Sequence, residues 1–466
     1  MLRYCWPPRR CSWRWRRRAC NAWEDADEPH EPARHRRRRG GGRTAGLGRS
    51  RAPGVAGSRC QCRAGRGRCG LRDHDARVFD GERVLAADSL RVRDGHVVDV
   101  GEGLQAANGE ATIDAQGGTV LPGFIDAHTH SWGEARTDAL RFGVTTVVDM
   151  FTMASMLPEA RESRETPGPT RQADLFSAGT LATVKGGHGT QFGLPVPTVD
   201  SDDDVVPWVR ARIEEGSDFI KIVREDLSAY RGRPDMPSLE APRAAALVQA
   251  AHAEGLKAVV HVAAYQHAVE SLDAGADGLV HVFQDAVADD AFAQRAARQG
   301  LFVVPTLTVV AGLSGERSAL ADDAELGPRL SGGQKQTLST RWPWPANPGL
   351  IANARANVTK LHAAGVRILA GTDAPNANTA HGASLHEELV QLVDAGLSPV
   401  EALAAATAHP ADAFGLDQRG RIAPGMRADL VLVAGRPDQD IRDTRGIRAI
   451  WKNGHPVPLA SMEFMP

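Results

Sequence analysis

Eight short β-branched apolar runs alternate with Ala-rich helical stretches, and the segments flanking them, 75–120 and 416–466, carry strand-and-turn sequence. Together these features predict an α/β protein: a (β/α)8 TIM barrel with a small β-sandwich domain built from N- and C-terminal segments. At 466 residues and 42% hydrophobic content there is enough chain for a large core and more than one domain. No apolar run approaches the ~20 residues of a membrane-spanning helix. No charged start leads into an apolar export segment either, so the expected location is the cytoplasm.

Residues 1–74 stand apart from the rest. They hold 20 Arg, no Lys and 6 acids, about +14, against about −16 for the remainder. All six cysteines (Cys5, Cys11, Cys20, Cys60, Cys62, Cys69) also lie there. Stretches such as "RWRRRAC" and "RHRRRRGGGR" are poor in aliphatic residues and have no period, so a disordered Arg/Gly-rich extension is expected. The lone C-x-C at Cys60 and Cys62 fits no common zinc spacing. The charge would suit phosphate binding by a basic arm. The exclusive use of Arg over Lys, with scattered Trp, reads instead as GC-rich DNA translated from a start codon placed too far upstream. A nucleic-acid partner is expected only if the arm is genuine.

Residues 75–120 give the first part of the small β domain. "ARVFDG", "SLRVRDGHVVDVG" and "ATIDAQGGTVLPG" alternate polar and apolar positions between Gly and Asp-Gly turn signals. The same texture returns over 416–466 in "GRIAPGMRADLVLVAG" and "IRAIWKNGHPV", and the two parts are expected to pair. Between them, residues 121–415 carry the runs "FIDAHTH", "TTVVDM", "DLFSAG", "DFIKIV", "KAVVHV", "GLVHVF", "LFVVPTL" and "RILAGTD". Their near-continuous apolar character is that of buried parallel strands, and segments such as "APRAAALVQAAHAEG" supply the helices between them.

The chemistry lies where a barrel places it, at the C-terminal ends of its strands. The period of two in "FIDAHTH" sends His128 and His130 to one face, close enough to chelate one ion. His261 and His281 fall late in two later strands, and Asp373 follows the eighth. Each alone has an ordinary reading, a bonded strand-end histidine or an Asx turn. Their recurrence at one end of four strands is a poor coincidence. Lys221 sits among Phe219, Ile220, Ile222 and Val223, where burial without a compensating charge would lower its pKa by up to several units. Either an internal carboxylate pairs with it, or its neutral amine captures carbon dioxide as a carbamate that bridges two metals.

These motifs, with "LPGFIDAHTH", "GVTTVVDM", "GTDAP" and "LSPVEALAAATAHPADAFGL", resemble the metal-dependent amidohydrolase superfamily over about residues 76–455. The similarity is strongest to the branch related to imidazolonepropionase that includes prolidase-like and N-acyl-amino-acid hydrolases. It implies two divalent ions, zinc first, although manganese, iron or cobalt suit the same ligands. By the resemblance, His128 and His130 bind the more buried ion and His261 and His281 the more exposed one. Lys221, N-carboxylated, bridges them, while Asp373 binds the buried ion and handles protons. A metal-bound hydroxide would then cleave the carboxamide-type C–N bond of a small-molecule amide: a dipeptide, an N-acyl amino acid or a relative.

The resemblance further implies substrate contacts for His188, in "KGGHGTQFG", and Tyr230, against which stand a solvated loop histidine and an aromatic packed on the rim. The stretch Ala311 to Leu350, with Trp342 and Trp344, is too long for an ordinary connection. It reads as a lid or pocket wall, its Trp residues suited to a bulky substrate group, with a homo-oligomer contact as the alternative. The competing functions are a mononuclear metal-dependent deaminase, a cyclic amidase or lactonase on the same scaffold, and a nucleic-acid binder using the basic arm.

Overall fold

The computed structural model describes residues 76–107, 110–193, 195–230 and 233–459, together with the backbone of Cys69–Arg72. The first strands are β1 (Cys69–Arg72), β2 (Arg77–Val78), β3 (Ser89–Arg93), β4 (His96–Gly101), β5 (Ala111–Asp114) and β6 (Thr119–Pro122). Between β3 and β4, Asp94 and Gly95 both take positive φ, 49° and 79°, which is the geometry an Asp-Gly hairpin turn favours. β1 pairs antiparallel with β3 and parallel with β5. Regular structure therefore starts inside the stretch 1–74 that was expected to have none; four residues show no period of their own, and the pairing comes from distant partners. The rest of that expected extension lies outside the described residues.

The parallel strands follow: β7 (Phe124–Thr129), β8 (Val144–Asp149), β9 (Asp174–Ser177), β10 (Ile220–Arg224), β11 (Ala258–Val262), β12 (Gly278–Val280), β13 (Phe302–Val304) and β14 (Arg367–Ile368). They form a three-stranded sheet, β7-β8-β9, and a five-stranded one, β10 through β14 in order. Backbone hydrogen bonds link the two sheets at both ends. Ala182 N donates to Lys221 O (2.8 Å), and Val223 N donates to Ala182 O (3.0 Å). On the other side Ala127 N reaches Ala370 O (2.9 Å), and Asp373 N reaches His128 O (2.8 Å). A helix follows each strand, from Ala135–Leu140 after β7 to Ala383–Asp394 after β14.

The alternation of strand residues sorts two cores. Val259, Val280, Val304 and Leu369 pack together on one side of the strands, whereas Val260, Val262, Ile220 and Ile222 pack outward with helix residues such as Leu247 and Leu272. His261 shares the face of Val259, and Lys221 shares that of Phe219, so both leave the outward face.

The last strands, β15 (Leu430–Val433), β16 (Ile447–Lys452) and β17 (His455–Pro456), return to the first ones. β15 pairs antiparallel with β6 in the sheet β17-β16-β15-β6-β2, which joins segments 300 residues apart in one sheet. Val78, Val120, Leu430 and Trp451 of this sheet share a buried cluster with Leu90 and Val97 of the sheet β4-β3-β1-β5. β6 runs to Pro122, and Gly123 alone separates it from β7. A Cβ there would meet Thr145 Oγ1 at 2.1 Å, so only glycine lets the strand pass. Among the described residues no helix is long and apolar enough to cross a membrane.

Candidate metal centre

His128 is on β7, His130 just past its end, His261 late in β11, His281 immediately after β12, and Asp373 beyond β14. The structure brings them together around the Asp373 carboxylate. Its Oδ1 lies 2.9 Å from His130 Nε2 and 3.2 Å from His128 Nε2, and its Oδ2 lies 3.9 Å from His281 Nε2. One ligand atom from each of His128, His281 and Asp373 falls within 4.8 Å of the others. The His261 ring stands 4.7 Å from that of His281, and the His188 ring 4.7 Å from that of His261.

Asp373 Oδ1 is a buried oxygen without a hydrogen bond, despite two imidazole nitrogens within 3.2 Å. The rings aim nitrogen at it without donating in line. Imidazole nitrogens and a carboxylate oxygen converging on one point are the donor set of a borderline divalent cation, so these residues fit a metal. The far side of one ring is held: His281 Nδ1 is 2.5 Å from Thr306 Oγ1, as metal-ligating histidines usually require. Thr306 and Asp373 also take positive φ, 51° and 57°, an uncommon conformation for residues with a Cβ and most unfavourable for a β-branched one. Strain of this kind gathers at functional positions.

Burial sets the protonation of the cluster. It holds His128, His261 and His281 well below the ordinary imidazole value and lowers His188 as well, which leaves neutral rings with lone pairs to offer. Burial also opposes the charge on His130, but Asp373 outweighs it and raises that ring. Burial would raise Asp373; the nearby His128 and His281 reverse this and hold it well below the carboxylate range. Lys221 is buried, and burial pulls it down to about 7 against the opposing pull of Asp373 and Asp149. Among the described residues no carboxylate lies within ion-pair distance of its amine.

His188 is half-buried, and Tyr230 meets the cluster at one remove: its hydroxyl accepts a 2.8 Å hydrogen bond from Gln284 Nε2. Glu225 is a buried member that sequence reasoning passed over. Its Oε2 lies 3.4 Å from His261 Nε2, so only Nδ1 of that ring would remain for an ion. A signal was present, since 225, one residue past the end of β10, keeps the alternation that 221 starts. Asp126 was missed in the same way, two residues before His128; it takes hydrogen bonds from Thr372 N (3.1 Å) and Thr372 Oγ1 (2.7 Å) and so ties β7 to the segment that bears Asp373. Nothing in the sequence pointed to Gln284 or Thr306. In the long stretch after β13, Trp342 and Trp344 stack on each other at 4.7 Å, and Arg233 lies 3.5 Å over Trp344.

The profile of the Amidohydrolase family matches residues 119–457. Imidazolonepropionase of Deinococcus deserti is 26% identical over 397 residues, covering 78% of this chain and 91% of that protein. Enamidase of Eubacterium barkeri is 25% identical over 364 residues, 75% of this chain and 82% of that one. Among solved structures, a Xaa-Pro dipeptidase with methionine bound in its active site superposes with a TM-score of 0.66 at 23% identity, over 84% of this chain and 99% of the other; this is a likeness of fold. With the family profile spanning well over half of its length, the chain belongs to the amidohydrolase family, whose members are hydrolases acting on carbon–nitrogen bonds.

Proposed function

We propose that this protein is a metal-dependent hydrolase of small amides, dipeptides or N-acyl amino acids in class, working at a two-ion centre. In this reading the eight parallel strands close into a (β/α)8 barrel and the two outer sheets form a sandwich. The observation that carries the proposal is the convergence of His128 and His130 on Asp373 Oδ1, which is buried and has no hydrogen bond, with His281 on the side of Oδ2. His128, His130 and Asp373 would hold one ion, and His261 and His281 the other. When bound, divalent ions, zinc first for this donor set, supply Lewis acidity toward water and toward the substrate carbonyl.

The chain's own groups do the rest. Lys221, lowered to about 7, is an amine in about half of the molecules at neutral pH. It adds to carbon dioxide with loss of a proton, and the resulting carbamate oxygens would join the two ions. Asp373 Oδ1 accepts a proton from the attacking water and returns it to the departing amine. Tyr230 accepts from Gln284, which leaves its own proton free for a substrate carbonyl or carboxylate. Burial raises its pKa well above the ordinary phenol value, so that proton stays in place. His188, beside His261, would contact the substrate on the other side.

The test is elemental analysis of the purified chain with a screen of amides for amine release, repeated on Lys221→Ala. Two ions per chain, lost in the variant and restored by short-chain carboxylates, are expected. A one-ion centre is the second reading, favoured because His128, His281 and Asp373 are the one group whose ligand atoms gather within 4.8 Å among the described residues. One ion per chain, indifferent to Lys221→Ala, would select it. No retained metal and no amine release would end both.

A further inference from the structure

The turn "KGGHGTQFG" is fixed by packing. Gly189 has φ +102°, and a Cβ on it would meet Leu181 Cδ1 at 2.6 Å. Thr190 Oγ1 closes the turn on Gly187 O (2.7 Å), and Gln191 Oε1 accepts from Gly189 N (2.7 Å). The short helical turn Thr190–Phe192 then sets the Phe192 ring edge-on to His188 at 5.9 Å.

From Phe192 an arc of aromatic contacts runs to the opposite side of the histidine cluster. Phe192 meets Phe151 at 6.4 Å, Phe151 meets Trp132 at 6.0 Å with rings perpendicular, and Trp132 meets His130 at 5.9 Å. Phe151 is buried with Leu181 and Val223, and Trp132 packs against the same group, so the arc has a rigid back. Phe192 is 51% exposed and is the one aromatic among the large exposed apolar side chains of the described residues. Met153, two residues beyond Phe151, is exposed at 47%. Singly exposed apolar groups need no explanation. An exposed ring tied at one edge to a histidine of the cluster, with a packed aromatic arc behind it, has the form of a binding wall. Trp342 and Trp344 do not offer this, because each covers the other and Arg233 covers Trp344.

We propose that Trp132, Phe151 and Phe192 form the subsite for an apolar, aromatic side chain next to the scissile amide bond; this rests on the amide-hydrolase reading above. The hydrolase would therefore take amides of phenylalanine-like residues in preference to those of glycine. Rejection of the small residue follows from the apolar surface that its substrates leave uncovered.

The experiment uses the metal-loaded full chain and matched phenylalanyl and glycyl members of a panel of dipeptides and N-acyl amino acids. The phenylalanyl member is expected to show the higher kcat/KM, and Phe192→Ala and Trp132→Ala each to cut that preference by about 10-fold or more. Metal content should stay at the wild-type level, which separates a lost subsite from a collapsed centre. Equal kcat/KM for the pair in the wild type, or a preference untouched in both variants, overturns the subsite. If no amide is cleaved, the amide reading fails on its own, and calorimetric binding of 3-phenylpropionate against propionate decides the subsite separately. Tighter binding of the aromatic acid, lost in Phe192→Ala, sustains it; equal binding of the two acids refutes it.

Discussion

Asp174, the first residue of β9, and Asp373, beyond β14, are both buried carboxylates ringed by bases. Around Asp174 each charge has met its opposite. Lys452, wholly buried, donates to Asp174 Oδ2 (2.9 Å) and Asp429 Oδ2 (2.8 Å), and Arg419 Nε donates to Asp174 Oδ2 (2.7 Å). Asn453 N then fills the second oxygen of Asp429 at 2.7 Å. Burial would raise Asp174, but Lys452 and Arg419 overcome it and hold its pKa below the ordinary value. Around Asp373 the His128 and His281 rings are neutral, Oδ1 has no hydrogen bond, and the Lys221 amine has no ion-pair partner among the described residues. A buried charge completed by protein ties elements together, here β9 to the sheet of β15 and β16. One left incomplete is available to a ligand.

The contrast can be broken most sharply at Asp373. Asp373→Ala should lower amide hydrolysis by at least about 10²–10⁴-fold. In the metal-free chain it should leave thermal stability level or higher, because it removes a buried oxygen without a hydrogen bond; a large fall in Tm there would place Asp373 with the structural cluster. Lys452→Met is the converse, expected to cost about 3–5 kcal/mol in denaturant unfolding by leaving buried carboxylates short of a cation. Metal content per folded chain should not change, and loss of metal in that variant would erase the distinction.

His386 sharpens the comparison on a smaller scale. It is buried like the site histidines, yet both nitrogens are bonded: Nε2 donates to Phe142 O (2.9 Å), and Nδ1 lies 3.0 Å from Thr444 Oγ1. Burial lowers its pKa to about 4, from 6.5 in the unfolded chain. The unfolded state then binds the extra proton first, so the stability that His386 contributes is whole above pH 6.5 and lost as pH falls toward 4. About 3 kcal/mol is at stake over that window. Unfolding of wild type and His386→Gln at several pH values should show a shallower loss in the variant, and parallel curves would remove His386 from the account.

Much of the site was legible because its signals are local. "FIDAHTH" places two histidines at a period of two, and "KAVVHV" and "GLVHVF" each carry a histidine late in an apolar run. Glu225 and Asp126 were legible by the same period and were passed over. Gln284, Thr306 and the aromatic arc were not, since each matters through contacts with other segments: Thr306 through His281, Gln284 through Tyr230, Phe192 through Phe151. β1 escaped for a related reason, being a strand only because β3 and β5 flank it.

By itself the sequence determined where strands and helices run and which residue types end them, because burial period and turn chemistry are properties of neighbours along the chain. Tertiary structure alone decided what the two buried lysines do. Lys221 in "FIKIV" and Lys452 in "AIWKN" both follow apolar residues and look alike. Lys452 finds Asp174, 278 residues away, whereas no carboxylate pairs with Lys221 among the described residues. A charge in an apolar strand is defined by its partner, and the fold alone brings the partner there.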